Sequence, residues 1–207
     1  MKIRSVEFTG AVAKPGEPLP DALPGVAFSG RSNVGKSSLI NRALGRTRTP
    51  IARVSNTPGK TREINFYRVD AIPAGGETPM EFQLVDLPGY GYARVPDHLR
   101  RAWKPLIEDY LQRSRALRGV VQLVDVRHGP TRDDLTMVEF LAGLGIPALV
   151  VLTKVDKLKH GQRKKQFRAI SEKLSLPMEQ IVPFSAVTGE GREELLRALE
   201  ALLGPRP

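Results

Sequence analysis

The hydrophobic positions of this chain fall into short runs separated by longer amphipathic segments. Five of these runs are nearly continuous, at 25–29, 82–86, 120–125, 148–152 and 181–184. Runs of this kind, rich in valine, leucine and isoleucine, are typical of strands buried on both faces of a parallel sheet. A sixth segment, 63–69, alternates apolar and polar residues and predicts a strand at the edge of that sheet.

Apolar residues recur every three or four positions between these runs, which predicts helices. Thr131 and Asp134 have the spacing of a capping box at the start of one helix, and Gly204 follows the leucine stripe of the last. The alternation predicts an α/β fold with a mixed, mostly parallel six-stranded sheet and about five helices. We expect residues 1–24, which contain four prolines, to be an N-terminal extension packed on a domain that spans 25–207.

Length and composition exclude several classes of protein. The 207 residues correspond to one domain, and the absence of cysteine excludes disulfides, thiolate metal sites and cysteine nucleophiles. No apolar run reaches the roughly 20 residues that cross a bilayer, and the charged start lacks the apolar stretch of a secretory signal. We therefore expect a cytoplasmic protein without a membrane partner.

The charge balance is more specific. Lysine and arginine number 32 against 22 aspartates and glutamates, which leaves a net charge of +10. A protein this basic often binds a polyanion such as RNA, although a surface tuned only for solubility is the alternative. Aromatic residues make up 6% of the chain, so neither a stacking platform for single strands nor DNA specificity is expected.

A glycine-rich segment directly after the first buried run carries the strongest motif. It matches G-x-x-x-x-G-K-[ST] and continues with one more serine: Gly30, Arg31, Ser32, Asn33, Val34, Gly35, Lys36, Ser37 and Ser38. Glycines let backbone N–H groups surround phosphate oxygens, Lys36 would neutralise the β- and γ-phosphates, and the Ser37 hydroxyl would ligate Mg²⁺. A chance turn is the alternative, and the loop alone does not separate ATP from GTP.

A second motif selects the base. Thr153, Lys154, Val155 and Asp156 follow the run at 148–152 and resemble the guanine-reading N/T-K-x-D motif of Ras-like GTPases. A carboxylate accepts hydrogen bonds from both N1–H and the N2 amino group of guanine, and adenine offers no such pair. If this motif stood alone, it would be interpreted as a charged loop at the end of a strand. Thr153 stands where Ras-like proteins commonly have Asn, and its shorter hydroxyl is not expected to tie this loop to the phosphate loop in the same way. This difference bears on affinity more than on base identity.

Two further segments complete the set. Phe184, Ser185 and Ala186 stand where Ras-like GTPases have their S-A-x loop, and this resemblance implies a backbone N–H near Ala186 that donates to guanine O6. Asp86, Leu87, Pro88 and Gly89 match D-x-x-G. Asp86 would hold a Mg²⁺-bound water and the Gly89 N–H would sense the γ-phosphate, whereas a simple strand-ending turn is the alternative.

The segment before the strand at 63–69 occupies the place of switch I. We expect nucleotide contacts from Gly59, Lys60, Thr61, Arg62 and Glu63. Thr61 is the preferred Mg²⁺ ligand, with Thr57 as its rival, so that Ser37, Thr61 and Asp86 form the metal set. Such a loop should order with GTP and loosen with GDP.

The order of these motifs resembles one family. GRSNVGKSSLIN, NTPGKTREINFY, DLPGYGYA, TKVD and FSA are similar to the EngB (YihA/YsxC) branch of the TrmE–Era–EngA–septin-like GTPases. The resemblance covers nearly the whole chain. It implies a GTP-binding domain that binds the large ribosomal subunit during assembly and is linked to cell division and septation.

The resemblance also bears on hydrolysis. Tyr90 stands where Ras has the glutamine that orients water, and with a pKa near 10 it cannot serve as a base at neutral pH. Catalysis would rest on Lys36, Mg²⁺, Thr61 and the Gly89 N–H, which predicts slow turnover. Asn33 resembles the asparagine of potassium-activated GTPases, so K⁺ is a candidate cofactor; a purely conformational role for Asn33 stays open.

Basic residues around switch I and after the D-x-x-G motif predict contacts with ribosomal RNA that depend on the bound nucleotide. The set comprises Arg42, Arg46, Arg48, Arg53, Lys60 and Arg62, with Arg94, Arg100 and Arg101 further on; a third group, Lys157 to Arg168, follows TKVD. A solvated face is the alternative. Two other functions stay open: a P-loop phosphotransferase, and a nucleotide-gated binding module in cell division with negligible hydrolysis.

Overall fold

The computed structural model describes residues 1–20, 23–52, 63–90 and 97–204, and for 97–103 it describes the backbone alone. Seven strands lie in these residues: β1 (Lys2–Val12), β2 (Gly25–Gly30), β3 (Ile64–Ile72), β4 (Met80–Asp86), β5 (Leu117–Asp125), β6 (Ala148–Thr153) and β7 (Ile181–Pro183). The helices are α1 (Lys36–Ala43), α2 (Asp97–Arg113), α3 (Arg132–Gly143), α4 (His160–Leu174) and α5 (Arg192–Leu203). Short 3₁₀ turns at Val155–Lys157 and Met178–Gln180 precede α4 and β7.

The strands form one sheet in the order β1-β3-β4-β2-β5-β6-β7. Strands β4, β2, β5, β6 and β7 run parallel, while β1 and β4 both pair with β3 in the antiparallel sense. The α/β class, the mostly parallel sheet and the number of helices are confirmed. The predicted strand count of six is wrong for the described residues, and so is the edge position of the strand at 63–69.

Both errors come from β1, which covers the outer side of β3. Residues Lys2–Val12 pair with β3 through two register shifts, one between Ile3 and Ser5 and one between Phe8 and Gly10. Each shift inserts an extra residue into the strand, so the apolar positions lose their strict alternation. The alternation that identifies a half-buried strand is therefore absent from this part of the sequence.

The helices cover the sheet on both faces. Helices α1 and α5 pack on one face, where Leu39, Ile40 and Leu199 meet Phe28 and Leu123 of the central strands. Helices α2, α3 and α4 supply the side chains that cover the other face. The predicted capping box starts α3, because Thr131 accepts a hydrogen bond from the Asp134 N–H and Asp134 accepts one from the Thr131 N–H. Among the described helices, none is long and apolar enough to cross a membrane.

The parallel core of the sheet determines where the site lies. Strands β4, β2, β5 and β6 are neighbours and point the same way, so their carboxyl ends meet along one edge. The residues at those ends are Asp86, Gly30, Asp125 and Thr153. Ligands of open α/β sheets bind at this edge, where loops from several strands converge.

Candidate nucleotide-binding site

A cradle of backbone N–H groups lies between β2 and α1. Gly35 caps the helix with φ +104°, a conformation that favours glycine, and Asn33 also has positive φ, at +63°. The first bond within the helix runs from the Leu39 N–H to the Gly35 carbonyl, at 2.9 Å. The N–H groups of Lys36, Ser37 and Ser38 have no carbonyl within the helix, so they are available to phosphate oxygens at its positive end.

Lys36 and Asp86 form a buried ion pair below this cradle. The Lys36 ammonium contacts Asp86 Oδ1, and the two residues are 8% and 3% exposed. They come from the start of α1 and the end of β4, which the parallel pairing of β2 with β4 brings together. A buried pair of this kind costs several kcal/mol to break unless another charge replaces each partner. A phosphate for Lys36 and a cation for Asp86 would do so.

The D-x-x-G segment lies against the phosphate loop. The Leu87 N–H donates to the Phe28 carbonyl at 3.1 Å, and the Ser32 N–H donates to the Tyr90 carbonyl at 2.8 Å. A Cβ at Gly89 would lie 3.1 Å from both the N and Cα atoms of Ser32. Only glycine fits this approach without displacement of the phosphate loop.

Tyr90 is anchored by two residues that the nucleotide-binding motifs did not indicate. Its hydroxyl donates to Asp134 Oδ1 at 2.8 Å and accepts a hydrogen bond from the Gln122 amide. Burial, reinforced by the Asp134 carboxylate, raises the pKa of Tyr90 well above its ordinary value. The hydroxyl is therefore neutral and occupied, and Asp134 links the segment after D-x-x-G to the first turn of α3.

The base-reading loop is tied directly to the phosphate loop. The buried Thr153 hydroxyl donates to the Val34 carbonyl at 2.7 Å, so the threonine ties this loop to the phosphate loop through a short hydrogen bond. Lys154 adopts φ +63°, and its ammonium donates to the Asn33 carbonyl at 2.6 Å. Two consecutive residues of β6 and the following turn thus fix the loop that begins α1.

Asp125, at the end of β5, holds Lys154 in place. Its Oδ2 lies 2.9 Å from the Lys154 ammonium and 2.7 Å from Nη2 of Arg127. Burial alone would raise the pKa of Asp125, but the hydrogen bonds from Arg127 and Lys154 outweigh it and bring the pKa to about 2. Sequence reasoning missed this residue; its position at the end of a buried strand was the available signal.

Asp156 is positioned by the loop after β7. The buried Ser185 hydroxyl donates to Asp156 Oδ1 at 2.7 Å, and the N–H groups of Val187 and Thr188 donate to that hydroxyl. Burial would raise the pKa of Asp156, but the Ser185 hydrogen bond and nearby Lys157 lower it below the ordinary value. The carboxylate is thus held in its charged form, with its second oxygen next to Lys157.

Arg42 braces the same loop from α1. Its Nε donates to the Ala186 carbonyl and its Nη2 to the Val187 carbonyl, both at 2.7 Å. Arg42, expected among the RNA-contacting residues, is therefore committed to the base end of the site. Phe184 is fully buried, and its carbonyl accepts from the Val155 N–H at 3.3 Å.

Several predicted site residues lie outside the described part of the chain. They are Thr57, Gly59, Lys60, Thr61 and Arg62, while Glu63 is exposed just before β3. Of the predicted metal set, Ser37 and Asp86 are described and lie on adjacent elements. Within the described residues no group of three or more histidine, aspartate or glutamate side chains could hold a metal ion.

Comparisons with known protein families agree with this geometry. Residues 25–154 match the family model described as 50S ribosome-binding GTPase, and residues 107–205 match the one described as elongation factor Tu GTP binding domain. The first match extends from the start of β2 to Lys154, and the second includes Ser185 and Ala186. Between them they cover every motif of the site.

Curated relatives match over almost their full length. A "Probable GTP-binding protein EngB" of Gemmatimonas aurantiaca is 50% identical over 98% of this chain and 95% of its own length. A protein of the same name from Heliobacterium modesticaldum is 47% identical over 97% of this chain and 93% of its own length. Another from Desulforamulus reducens is 46% identical over 98% of this chain and 95% of its own length.

Solved structures show the same architecture. A crystal structure of a probable GTP-binding protein engB has a TM-score of 0.65 at 26% identity, covering 86% of this chain and 98% of its own. Aquifex aeolicus Era bound to GDP·AlF4⁻ has a TM-score of 0.70 at 26% identity, covering 88% of this chain and 57% of its own. Era in complex with MgGDPNP and a segment of 16S ribosomal RNA has a TM-score of 0.67 at 26% identity, with coverage of 89% and 58%.

Proposed function

This chain belongs to the EngB family of P-loop GTP-binding proteins, and on that premise we propose that it is a slow GTPase that acts as a nucleotide switch in assembly of the large ribosomal subunit. We place it in the cytoplasm, with a link to normal cell division and septation. One observation carries the proposal: the Thr153–Val34 hydrogen bond joins the base-reading loop to the phosphate cradle, so both parts bind one molecule.

The described side chains suit a magnesium–guanine nucleotide. Asp156 would accept from the guanine N1–H and N2 amino group, and Lys154 would cover the ring with its stem. Lys36 and the N–H groups at the start of α1 would bind the β- and γ-phosphates. Ser37, Asp86 and Thr61 would hold Mg²⁺, which when bound supplies charge neutralisation at the phosphates.

Slow hydrolysis follows from the surroundings of Tyr90. Its hydroxyl is neutral and bonded to Asp134 and Gln122, so it has no proton-accepting role in the attack of water. Among the described residues, Lys36, the Gly89 N–H and the N–H groups at the start of α1 can stabilise negative charge on the γ-phosphate. We expect turnover to rise only when a partner adds a further charge or positions the water.

The ribosomal part of the proposal is supported by family and charge. The matching family model is described as ribosome-binding, the related Era structure contains 16S ribosomal RNA, and this chain has a net charge of +10. Cosedimentation with purified large subunits, in a GTP analogue and in GDP, tests it. Stronger binding in the analogue is expected; no binding in either nucleotide would refute the ribosomal role.

Potassium is a further element of the proposal, centred on Asn33. The left-handed conformation of Asn33 and its carbonyl bond to Lys154 support the conformational role of the residue, and they leave its side chain exposed on the loop. K⁺ beside this side chain would supply the charge that an arginine finger brings elsewhere. GTP turnover should be faster in KCl than in NaCl, and equal rates would end the idea.

The immobilised Tyr90 hydroxyl also favours a second candidate, a nucleotide-gated binding module in cell division with negligible hydrolysis. Steady-state phosphate release with and without large subunits separates the two functions. Subunit-stimulated release supports the GTPase switch. Release that stays at background in both conditions supports the binding module.

We also retain the division into a GTP-binding domain at 25–207 and an extension at 1–24. The extension contributes β1 and makes further contacts, with the Met1 amino group 2.9 Å from Glu200 and the Gly16 N–H 2.9 Å from Asp109. A chain that begins at residue 25 should therefore bind GTP but unfold at a lower temperature. Loss of GTP binding in that chain would refute the division.

A further inference from the structure

The positive charge of this protein is concentrated around one helix. Seven of its lysines and arginines lie between residues 157 and 173 with a single glutamate, which places six of the ten net positive charges there. They are Lys157, Lys159, Arg163, Lys164, Lys165, Arg168 and Lys173. The neighbouring helices differ, because α3 and α5 each carry more acidic than basic residues.

The buried side of α4 fixes which of these charges face outward. Ile170 and Leu174 pack into the core below β6 and β7, so residues on the opposite side of the helix are exposed. Lys164, Lys165 and Arg168 lie on that side within one turn and are exposed. Arg168 pairs with Glu172 at 2.9 Å, whereas no ion pair within the described residues involves Lys164 or Lys165.

The loop between β5 and α3 extends this surface. The Gln166 amide donates to the Val126 carbonyl and the Lys173 ammonium to the Pro130 carbonyl, both at 2.8 Å. These bonds hold the exposed Arg127 and His128 beside α4. The basic surface therefore has two elements, and α4 alone is about 20 Å long at 1.5 Å per residue.

We propose that this α4 face, formed by Lys164, Lys165 and Arg168 and flanked by Lys159 before the helix and Lys173 near its end, is a docking surface for the phosphate backbone of folded RNA. The inference rests on the proposed ribosomal function and specifies the surface that serves it. Unpaired lysines that replace counterions along a phosphate backbone give strong, sequence-independent and salt-dependent binding. Phe167, which is the only phenylalanine, tyrosine or tryptophan of α4, packs against the core, so we do not expect base stacking to dominate recognition here.

The α4 face is coupled to the base end of the site. Arg163 donates to the Val155 carbonyl at 2.9 Å and pairs with Glu190 at 2.7 Å, which fastens the start of α4 to the turn that carries Asp156. Guanine is common to GTP and GDP. The α4 face therefore contributes equally to RNA binding in the GTP and GDP states. The part of RNA binding that depends on the nucleotide is left to the basic residues around switch I and after the D-x-x-G motif.

The test uses the full chain with Lys164→Glu and Lys165→Glu combined. The matched control combines Lys2→Glu and Lys14→Glu, two exposed lysines at and beside β1, the opposite edge of the sheet. One set of measurements uses purified large subunits, and another uses protein-free RNA extracted from them. Each is made in a GTP analogue and in GDP over a range of KCl concentrations.

The α4 double variant should bind protein-free RNA at least about tenfold more weakly at about 100 mM salt, with the slope of log K against log salt reduced by about 2. The reduction should be the same in both nucleotides, and the control should bind like wild type. Equal losses in both variants, or unchanged RNA binding in the α4 variant, would overturn the inference. So would wild-type binding to anionic vesicles but not to RNA.

Failure of the proposed function has a different signature. If wild type binds the protein-free RNA through α4 but never binds the subunits, the ribosomal role fails while the phosphate-docking surface stands. If subunits bind with nucleotide dependence and the α4 variant binds them and the RNA normally, the function stands and the α4 face is refuted. Guanine nucleotide affinity should be unchanged in both variants, which confirms that the site is intact.

Discussion

At the base end of the site each functional side chain is held by a neighbour, whereas at the phosphate end the two functional side chains hold each other. Asp156 accepts from Ser185, and Lys154 is fixed by Asp125 and the Asn33 carbonyl. Lys36 and Asp86, in contrast, form one buried ion pair. We expect the contacts at the base end to remain when a ligand binds, whereas the ion pair at the phosphate end must be replaced by new contacts.

This difference between the two ends suggests that the base end serves to recognise the base and that the phosphate end serves as the switch. A preorganised carboxylate loses little conformational entropy when guanine binds, so it distinguishes bases at low energetic cost. The Lys36–Asp86 pair opens without an uncompensated charge only if an anion reaches Lys36 and a cation compensates Asp86 together. We therefore expect the phosphate end to be selective for a metal–phosphate combination and to respond to the number of phosphates.

Removal of Lys36 should have the largest effect. Lys36→Ala should weaken GTP binding roughly 100- to 1000-fold, because it removes charged hydrogen bonds worth about 3 kcal/mol or more. Isothermal titration calorimetry measures this, with Lys14→Ala, at an exposed lysine outside the site, as the control.

The same variant leaves Asp86 buried without a partner, so its free energy of unfolding should fall by about 3 kcal/mol. Adding Asp86→Asn should recover most of that stability without recovering affinity. If the double variant regained GTP binding, the lost affinity would reflect misfolding, and Lys36 would have no direct role at the phosphates.

Asp156→Asn should have the next largest effect and should act on base identity. GTP affinity should fall roughly 30- to 100-fold, because an amide replaces the carboxylate that accepts from both guanine donors. Xanthine has a carbonyl where guanine has its amino group, so XTP should bind the variant better than it binds wild type. Competition between GTP and XTP measures the change, and Asp133→Asn on the exposed side of α3 is the control. An unchanged preference would contradict the role of Asp156.

Thr153→Val tests the joint between the two ends. It removes the hydroxyl that donates to the Val34 carbonyl at 2.7 Å and leaves that buried acceptor without this partner. The free energy of unfolding should fall by about 1–2 kcal/mol and GTP affinity about five- to tenfold. Thr9→Val, which removes a hydroxyl bond to the Phe66 carbonyl in the β1–β3 ladder, should lower stability without lowering affinity. Equal affinity losses in both variants would show that the joint has no special role.

Residues within contiguous motifs could be predicted from the sequence. Lys36, Asp86 and Asp156 occur at fixed positions in motifs whose chemistry requires them, and the strand before each motif places it at the carboxyl edge of the sheet. The α/β class followed from the alternation of buried runs and amphipathic segments. The motifs and the alternation are both local along the chain, so they can be recognised without knowledge of how the elements pack.

The residues that support the site could not be predicted, because each acts across a long sequence separation. Arg42 reaches Ala186, and Gln122 and Asp134 reach Tyr90, only after the helices are packed on the sheet. The hydrogen bond from Thr153 to the Val34 carbonyl could not be predicted for the same reason. A hydroxyl is shorter than an asparagine side chain, but the position of β6 next to the phosphate loop compensates for the difference.

The smallest predicted effect concerns Asp125, which connects the two ends through Lys154. Asp125→Asn keeps an acceptor oxygen but removes the charge that pairs with Arg127 and Lys154. At pH 7 we expect about a two- to threefold loss of GTP affinity, since Lys154 keeps its bond to the Asn33 carbonyl, and a small loss of stability consistent with a partly exposed pair. Calorimetry and urea unfolding measure the two quantities.

The pH dependence identifies the cause of that loss of stability. The pKa of Asp125 is about 2 in the folded chain, and an unfolded aspartate has a pKa of about 3.9. The carboxylate therefore stabilises the fold fully above about pH 4, and this contribution declines as the pH falls toward 2. The difference in unfolding free energy between wild type and Asp125→Asn should be constant from pH 7 to pH 5 and should shrink below pH 4. A difference that persists unchanged at pH 3 would show that the asparagine disturbs the packing of the loop, and that the charge of Asp125 does not hold Lys154.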